Sequence, residues 1–133
     1  MLIICHGLKS EDFPVEFVNH EISLGVDESN SIAVEAEGIS ERHAILTEEG
    51  DALFIRDNGS LNGTFLNHKK IEGKKKIASG DIIQIGCRQI RVDIFPDGKT
   101  TLNFIPLDPK EDCAIDATAV TIMPVLSNVS PSI

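Results

Sequence analysis

Three polar loops hold the residues whose types and spacing could do chemistry. Gly38-Ile39-Ser40-Glu41-Arg42-His43-Ala44 sets a hydroxyl, a carboxylate, a guanidinium and an imidazole side by side. Asp57-Asn58-Gly59-Ser60-Leu61-Asn62-Gly63-Thr64 gathers short polar side chains around two glycines. Ile77-Ala78-Ser79-Gly80-Asp81 follows a lysine-rich stretch. Catalysis fails on spacing. Ser40 and His43 lie close, but no acid is placed to orient the His and no nucleophile elbow exists. Gly73-Lys74-Lys75 lacks the rest of a phosphate-binding P-loop. Asp57 to His68 matches a calcium loop only at its first residue. His6, His20, His43 and His68 are scattered without metal-ligand spacing. These spacings predict no catalytic residue, no metal and no cofactor.

The elements that must position these loops are short strands. Apolar runs at Leu2 to Cys5, Phe13 to Leu24, Ile32 to Val34, Ala44 to Leu46, Leu53 to Arg56, Thr64 to Leu66, Ile82 to Ile85, Gln89 to Phe95 and Thr100 to Ile105 alternate with turn residues. Glu48-Glu49-Gly50-Asp51 and Pro96-Asp97-Gly98-Lys99 are turn signals between strands that should pair. No run repeats apolar residues at i, i+3, i+4 and i+7 over three turns, so helices are not expected. Many short strands at close spacing predict an all-β sandwich or barrel.

The chain has 133 residues and a formal net charge of −9. That length supports a core without staples. The charge argues against bulk nucleic-acid binding and against docking on an anionic membrane. No apolar stretch is long enough to span a bilayer, and no signal peptide stands at the N-terminus, so a cytoplasmic location is expected. Cys5, Cys87 and Cys113 show neither disulfide-framework nor zinc spacing and are expected to be free thiols.

The ordered set of motifs resembles the forkhead-associated (FHA) family. Ser40-x-x-His43 is similar to its Ser-x-x-His signature, and Ser60-Leu61-Asn62-Gly63-Thr64-Phe65 to its Ser-x-Asn-Gly-Thr turn. Gly80-Asp81-x-Ile83-x-Ile85-Gly86 is similar to the strand and turn that follow. The resemblance covers residues 1–106. It implies a two-sheet antiparallel β-sandwich whose end loops bind a phosphothreonine peptide, and thus an interaction module rather than an enzyme. Carried over to this chain, Ser40, Glu41, Arg42, Leu61 and Asn62 become the candidate peptide contacts. Gly25, His43, Gly63 and Thr64 become their structural support. Ser40 would give a hydroxyl and its backbone N–H to the phosphate, Arg42 a guanidinium, and Asn62 an amide that fixes the peptide backbone. His43 would be a buried tie between loops.

One position departs from the family. Its phosphate-binding arginine falls where this chain has Val26, followed by Asp27 and Glu28. The phosphate site is therefore expected to be degenerate, and a phosphate-independent interaction or assembly domain is the alternative. Lys69, Lys70, Lys74, Lys75 and Lys76 would form either a positive rim beside the Asn62-Gly63 loop or a guarded sheet edge.

Beyond residue 106 the composition shifts to Pro, Ser, Thr and acidic residues. Residues 107–133 are expected to form a largely disordered tail or linker. Thr118 and Thr121 are candidate phosphosites within it. Expected partners are phosphorylated or acidic protein segments, a Ser/Thr kinase and, through the tail, a second copy of the chain.

Overall fold

A computed structural model describes residues 2–106. Its elements are twelve strands and no helix: β1 (Leu2–His6), β2 (Phe13–Val15), β3 (Glu21–Gly25), β4 (Ile32–Ala33), β5 (Ala44–Glu49), β6 (Ala52–Asp57), β7 (Thr64–Leu66), β8 (Lys69–Lys70), β9 (Lys75–Ile77), β10 (Ile82–Ile85), β11 (Arg88–Ile94) and β12 (Lys99–Phe104). They form two sheets, ordered β2-β1-β12-β11-β10-β7-β8 and β4-β3-β5-β6-β9.

The side-chain period of two decides which face each strand buries. Ile22 and Leu24 of β3, Leu53 and Ile55 of β6, Ile83 and Ile85 of β10, Ile90 and Val92 of β11, and Leu102 and Phe104 of β12 all turn inward. With Ile3, Cys5 and Leu46 they make one core between the sheets. Aliphatic and Phe packing replaces the absent Trp and Tyr.

The expected all-β sandwich is present. Most pairings are antiparallel, but β1 runs parallel to β12 and β3 parallel to β4, so both sheets are mixed. The apolar run from Phe13 divides at Asn19 and His20, whose φ values of 55° and 65° make a tight turn between paired Val18 and Glu21. Asn-His is a weaker turn signal than Asn-Gly. The lysine-rich stretch also folds, as β8 at the edge of the larger sheet and β9 at the edge of the smaller one. Their short, polar residues carry little strand signal of their own.

Cys5 is a free thiol inside the core, where burial pushes its pKa up to about 12 against a small opposing effect of Lys9. Cys87 is disulfide-bonded, which corrects the expectation of free thiols throughout. Among the described residues no helix is long and apolar enough to cross a membrane. The tail expected at 107–133, its phosphosites Thr118 and Thr121, Cys113, and self-association through the tail lie outside the described residues.

Candidate functional site

Three loops meet at one end of the sandwich: 26–31 after β3, 34–43 before β5, and 58–63 between β6 and β7. Backbone bonds join them first. The Val26 and Asp27 N–H groups donate to the Ser40 and Glu41 carbonyls at 3.0 and 3.2 Å. His43 N–H donates to Leu24, and Asn58 N–H to His43, extending the β3–β5–β6 ladder into the loops. Gly25 permits this approach, because a Cβ there would stand 2.1 Å from the Glu41 oxygen.

His43 ties two of these loops together. It is fully buried, and its Nδ1 accepts the Ser40 backbone N–H at 3.0 Å. Its Nε2 lies 2.8 Å from the Gly63 carbonyl. An accepting Nδ1 leaves Nε2 as the donor, so the ring holds one neutral tautomer bridging the two loops. The Ser40 N–H is thereby consumed. This corrects the expectation that Ser40 would offer its backbone N–H to a ligand.

The Ser40 hydroxyl is differently placed. Its Oγ accepts the Leu61 backbone N–H at 3.0 Å, and among the described residues its own proton has no acceptor. Ser40, Glu41 and Arg42 line a cavity of about 480 Å³ together with Asp27 and Asn58. The Arg42 guanidinium donates to the Ser29 Oγ at 3.4 Å. Asn62 and Leu61 are not among the residues that line the cavity. Asn62 Nδ2 donates to the Gly38 carbonyl at 3.0 Å, which uses one of its two amide protons. Leu61 is 88% exposed.

The 58–63 loop is closed from within. Asp57 accepts the Ser60 N–H at 3.0 Å, the Thr64 hydroxyl at 2.7 Å and the Ser60 hydroxyl. Burial pushes the Asp57 carboxyl up, but the bonds from Ser60 and Thr64 outweigh it and hold the pKa below the usual carboxylate range. Ser60 Oγ in turn accepts the Gly63 N–H at 2.8 Å. Gly63 has φ 86°, and a Cβ there would meet Lys70 Cε at 2.7 Å. The Lys70 stem therefore lies across the glycine, bringing one cation of the lysine stretch to this loop. Lys74 instead pairs with Glu49 and stacks on Phe54 at 4.8 Å.

Two contributors, Asn30 and Asn58, were not anticipated. Asn30 is buried and donates from Nδ2 to the carbonyls of Asp27 and Glu41 at 2.7 and 2.6 Å, locking the first loop to the second. Asn58 Nδ2 holds the Arg42 carbonyl at 3.4 Å. Nothing in the sequence separates either from a solvated loop asparagine. Asp27 lines the cavity, and side-chain and backbone bonds from Ser29, with Arg42 nearby, hold its carboxyl below the usual range. It is therefore an anion in the candidate site at neutral pH.

The two-sheet sandwich presents one end-loop cluster around the Ser40 hydroxyl and the Arg42 guanidinium. The FHA domain family model matches residues 22–86, which span β3 to the turn after β10. The chain carries an FHA domain. It is 36% identical over 64 residues to the glycogen accumulation regulator GarA of Mycolicibacterium smegmatis, covering 48% of this chain and 40% of that protein. It is 29% identical over 85 residues to the probable E3 ubiquitin-protein ligase dma1 of Schizosaccharomyces pombe, covering 59% of this chain and 32% of that one. The chain thus spans less than half the length of these curated relatives. A solved FHA domain studied for phosphothreonine-dependent interactions superposes with a TM-score of 0.60 at 22% identity, covering 71% of this chain and 95% of that one.

Proposed function

We propose that the loop end of the sandwich binds phosphothreonine-containing protein segments, with a weakened grip on the phosphate. The carrying observation is the Ser40 hydroxyl. The Leu61 N–H fixes its oxygen and leaves its proton to be donated into a cavity that Arg42 also lines. A phosphate dianion is held by such convergent, charge-assisted donors. Asn62 keeps one amide proton and its carbonyl for the backbone of the bound segment. Glu41 and Leu61 flank the path of that segment. The FHA domain at 22–86 and the phosphothreonine-dependent interactions of the structural neighbour support this reading.

The grip is weakened because Val26 stands where an arginine is expected, and because the Asp27 carboxylate shares the cavity. Val26 N–H bonds the Ser40 carbonyl, so position 26 borders Ser40. Ser/Thr kinases are the natural suppliers of the ligand. Titration of an oriented phosphothreonine peptide library against the wild-type chain and Ser40→Ala tests the proposal. The wild-type chain should select phosphorylated over unphosphorylated sequences, and Ser40→Ala should lose that selection.

Asp27 in the cavity favours a second reading, a protein-interaction domain that takes its partner without phosphate. Equal affinity for phosphorylated and unphosphorylated forms of every selected peptide would establish that reading instead.

A further inference from the structure

The lysine-rich stretch divides once the chain is folded. Lys74 is committed to the fold, pairing with Glu49 and stacking on Phe54. Lys69 and Lys70 form β8, the last strand of the larger sheet, and both are exposed. Among the described residues neither belongs to an ion pair. Lys70 stands opposite Phe65, and its stem lies across Gly63. A Cβ on Gly63 would meet Lys70 Cε at 2.7 Å and Cδ at 3.3 Å. The ammonium, one bond beyond Cε, therefore ends at the loop that carries Leu61 and Asn62. A lysine that only guards a sheet edge needs no such contact.

The other side of the same loop end carries the opposite sign. Asp27 and Glu41 line the cavity with Ser40, and Glu28 is exposed next to Asp27. Arg42 offsets one of these three carboxylates, so that side stays negative. The bonds between loops set the order. Asp27 N–H donates to the Glu41 carbonyl, Leu61 N–H donates to the Ser40 hydroxyl, and Gly63 follows two residues on. The Ser40 hydroxyl thus lies between a carboxylate side and an ammonium side.

We propose that the module takes segments with a directional charge pattern, acidic on the side of the phosphothreonine that crosses Gly63 and not on the side that crosses Asp27. Lys70 is the residue that sets this preference. The inference rests on the peptide-binding reading and adds the class of segment it selects. With a formal net charge of −9, the chain repels acidic segments over most of its surface, so one local cation beside the site discriminates by position as well as by attraction.

The experiment selects a phosphothreonine-centred peptide library, with Asp and Glu varied against Asn and Gln on both sides, on wild type, Lys70→Gln, Lys70→Arg and Lys99→Gln. Both Lys70 replacements keep an aliphatic stem over Gly63. Lys99→Gln removes the same charge at the β11–β12 turn, where β12 starts its run toward the loop end. Wild type should take acids on one side only. Titration of the selected peptide against its Asn/Gln counterpart should show a preference of about twofold to fivefold, the range of an exposed ion pair, that fades as salt is raised. Lys70→Gln should erase the preference, and Lys70→Arg and Lys99→Gln should keep it. An acidic preference that survives Lys70→Gln, or equal selection of acids on both sides, overturns the proposal. Each peptide is also titrated without its phosphate. Equal affinity of the two forms would sink the phosphate reading while the charge preference is still read in both, and absence of binding by every peptide would overturn the two together.

Discussion

At the scale of single residues, Ser40 and His43 divide labour that their spacing alone does not reveal. His43 takes the Ser40 backbone N–H and gives its own Nε2 proton to Gly63, so it builds the site without facing it. Ser40 keeps only its hydroxyl for a ligand. Ser40→Ala should therefore weaken phosphopeptide binding about tenfold or more, the loss of one charge-assisted bond of roughly 1.5–3 kcal/mol, and Asn62→Ala should weaken it by the roughly 0.5–1.5 kcal/mol of a neutral bond, both with little change in Tm. His43→Ala should instead destabilise the fold by about 1–3 kcal/mol by orphaning buried groups. Calorimetric titration beside thermal melts separates the two patterns, and unchanged affinity in both Ser40→Ala and Asn62→Ala would remove them from the site. Asp57 adds a pH dependence. Its folded-state pKa is depressed, so its contribution to stability is present above the unfolded carboxylate value of about 3.9 and is lost as pH falls through the folded value. Asp57→Asn should lower the urea midpoint at pH 7, and the gap to wild type should close as the pH drops below about 4. Parallel curves across that range would show that Asp57 does not act through its charge.

At the scale of elements, the three loops are held by strands whose ends converge on one face of the sandwich. The 26–31 loop is where the proposed phosphate recognition would be weakest. Its backbone is bonded to Ser40 and Glu41 and locked by Asn30, so a side chain at position 26 starts beside Ser40. Val26→Arg should raise affinity for phosphothreonine peptides by tenfold or more, one charged hydrogen bond of roughly 1.5–3 kcal/mol restored. No gain in a folded variant would mean that this loop directs position 26 away from the ligand. The strands themselves were largely legible before the structure, because inward aliphatic residues at period two and Gly-containing turns mark β6, β7, β10, β11 and β12. The β8 and β9 edges were not, because Lys-Lys pairs carry no apolar alternation and their pairing is decided by β7 and β6. The loop contacts split in the same way. Ser40, His43 and Asn62 were legible from their spacing within motifs. Asn30 and Asn58 were not, because a buried asparagine that holds backbone carbonyls has the same sequence appearance as a solvated one. Lys70 was visible only as part of a charge run, and its place across Gly63 follows from the β7–β8 turn at Asn67 and His68, with φ 51° and 70°.

At the scale of the whole molecule, the direction in which β12 runs sets what the C-terminal residues can reach. Ile105 bonds Gln89 next to the β10–β11 turn, and that turn packs on the 34–43 loop. The chain therefore leaves the sandwich at the same end as the candidate peptide site. Thr118 and Thr121 follow about a dozen residues later, in the sequence Asp116-Ala117-Thr118-Ala119-Val120-Thr121-Ile122-Met123. A connection of ten extended residues spans roughly 30 Å, enough to return to the loops from the point of exit. Our hypothesis is that Thr118 or Thr121, once phosphorylated, is captured by the module of its own chain or of a second copy. Capture within the chain gains from a high effective concentration, which would offset the weakened phosphate grip proposed for Val26 and Asp27. A phosphorylated peptide of residues 114–123 added to the protein should shift the amide signals of Ser40 and Asn62, and its unphosphorylated form should not. Ser40→Ala should abolish the response. Equal shifts from both peptides would point to strand addition by Val120 to Met123 at a sheet edge, and no shift from either would reduce these threonines to ordinary polar residues of a linker.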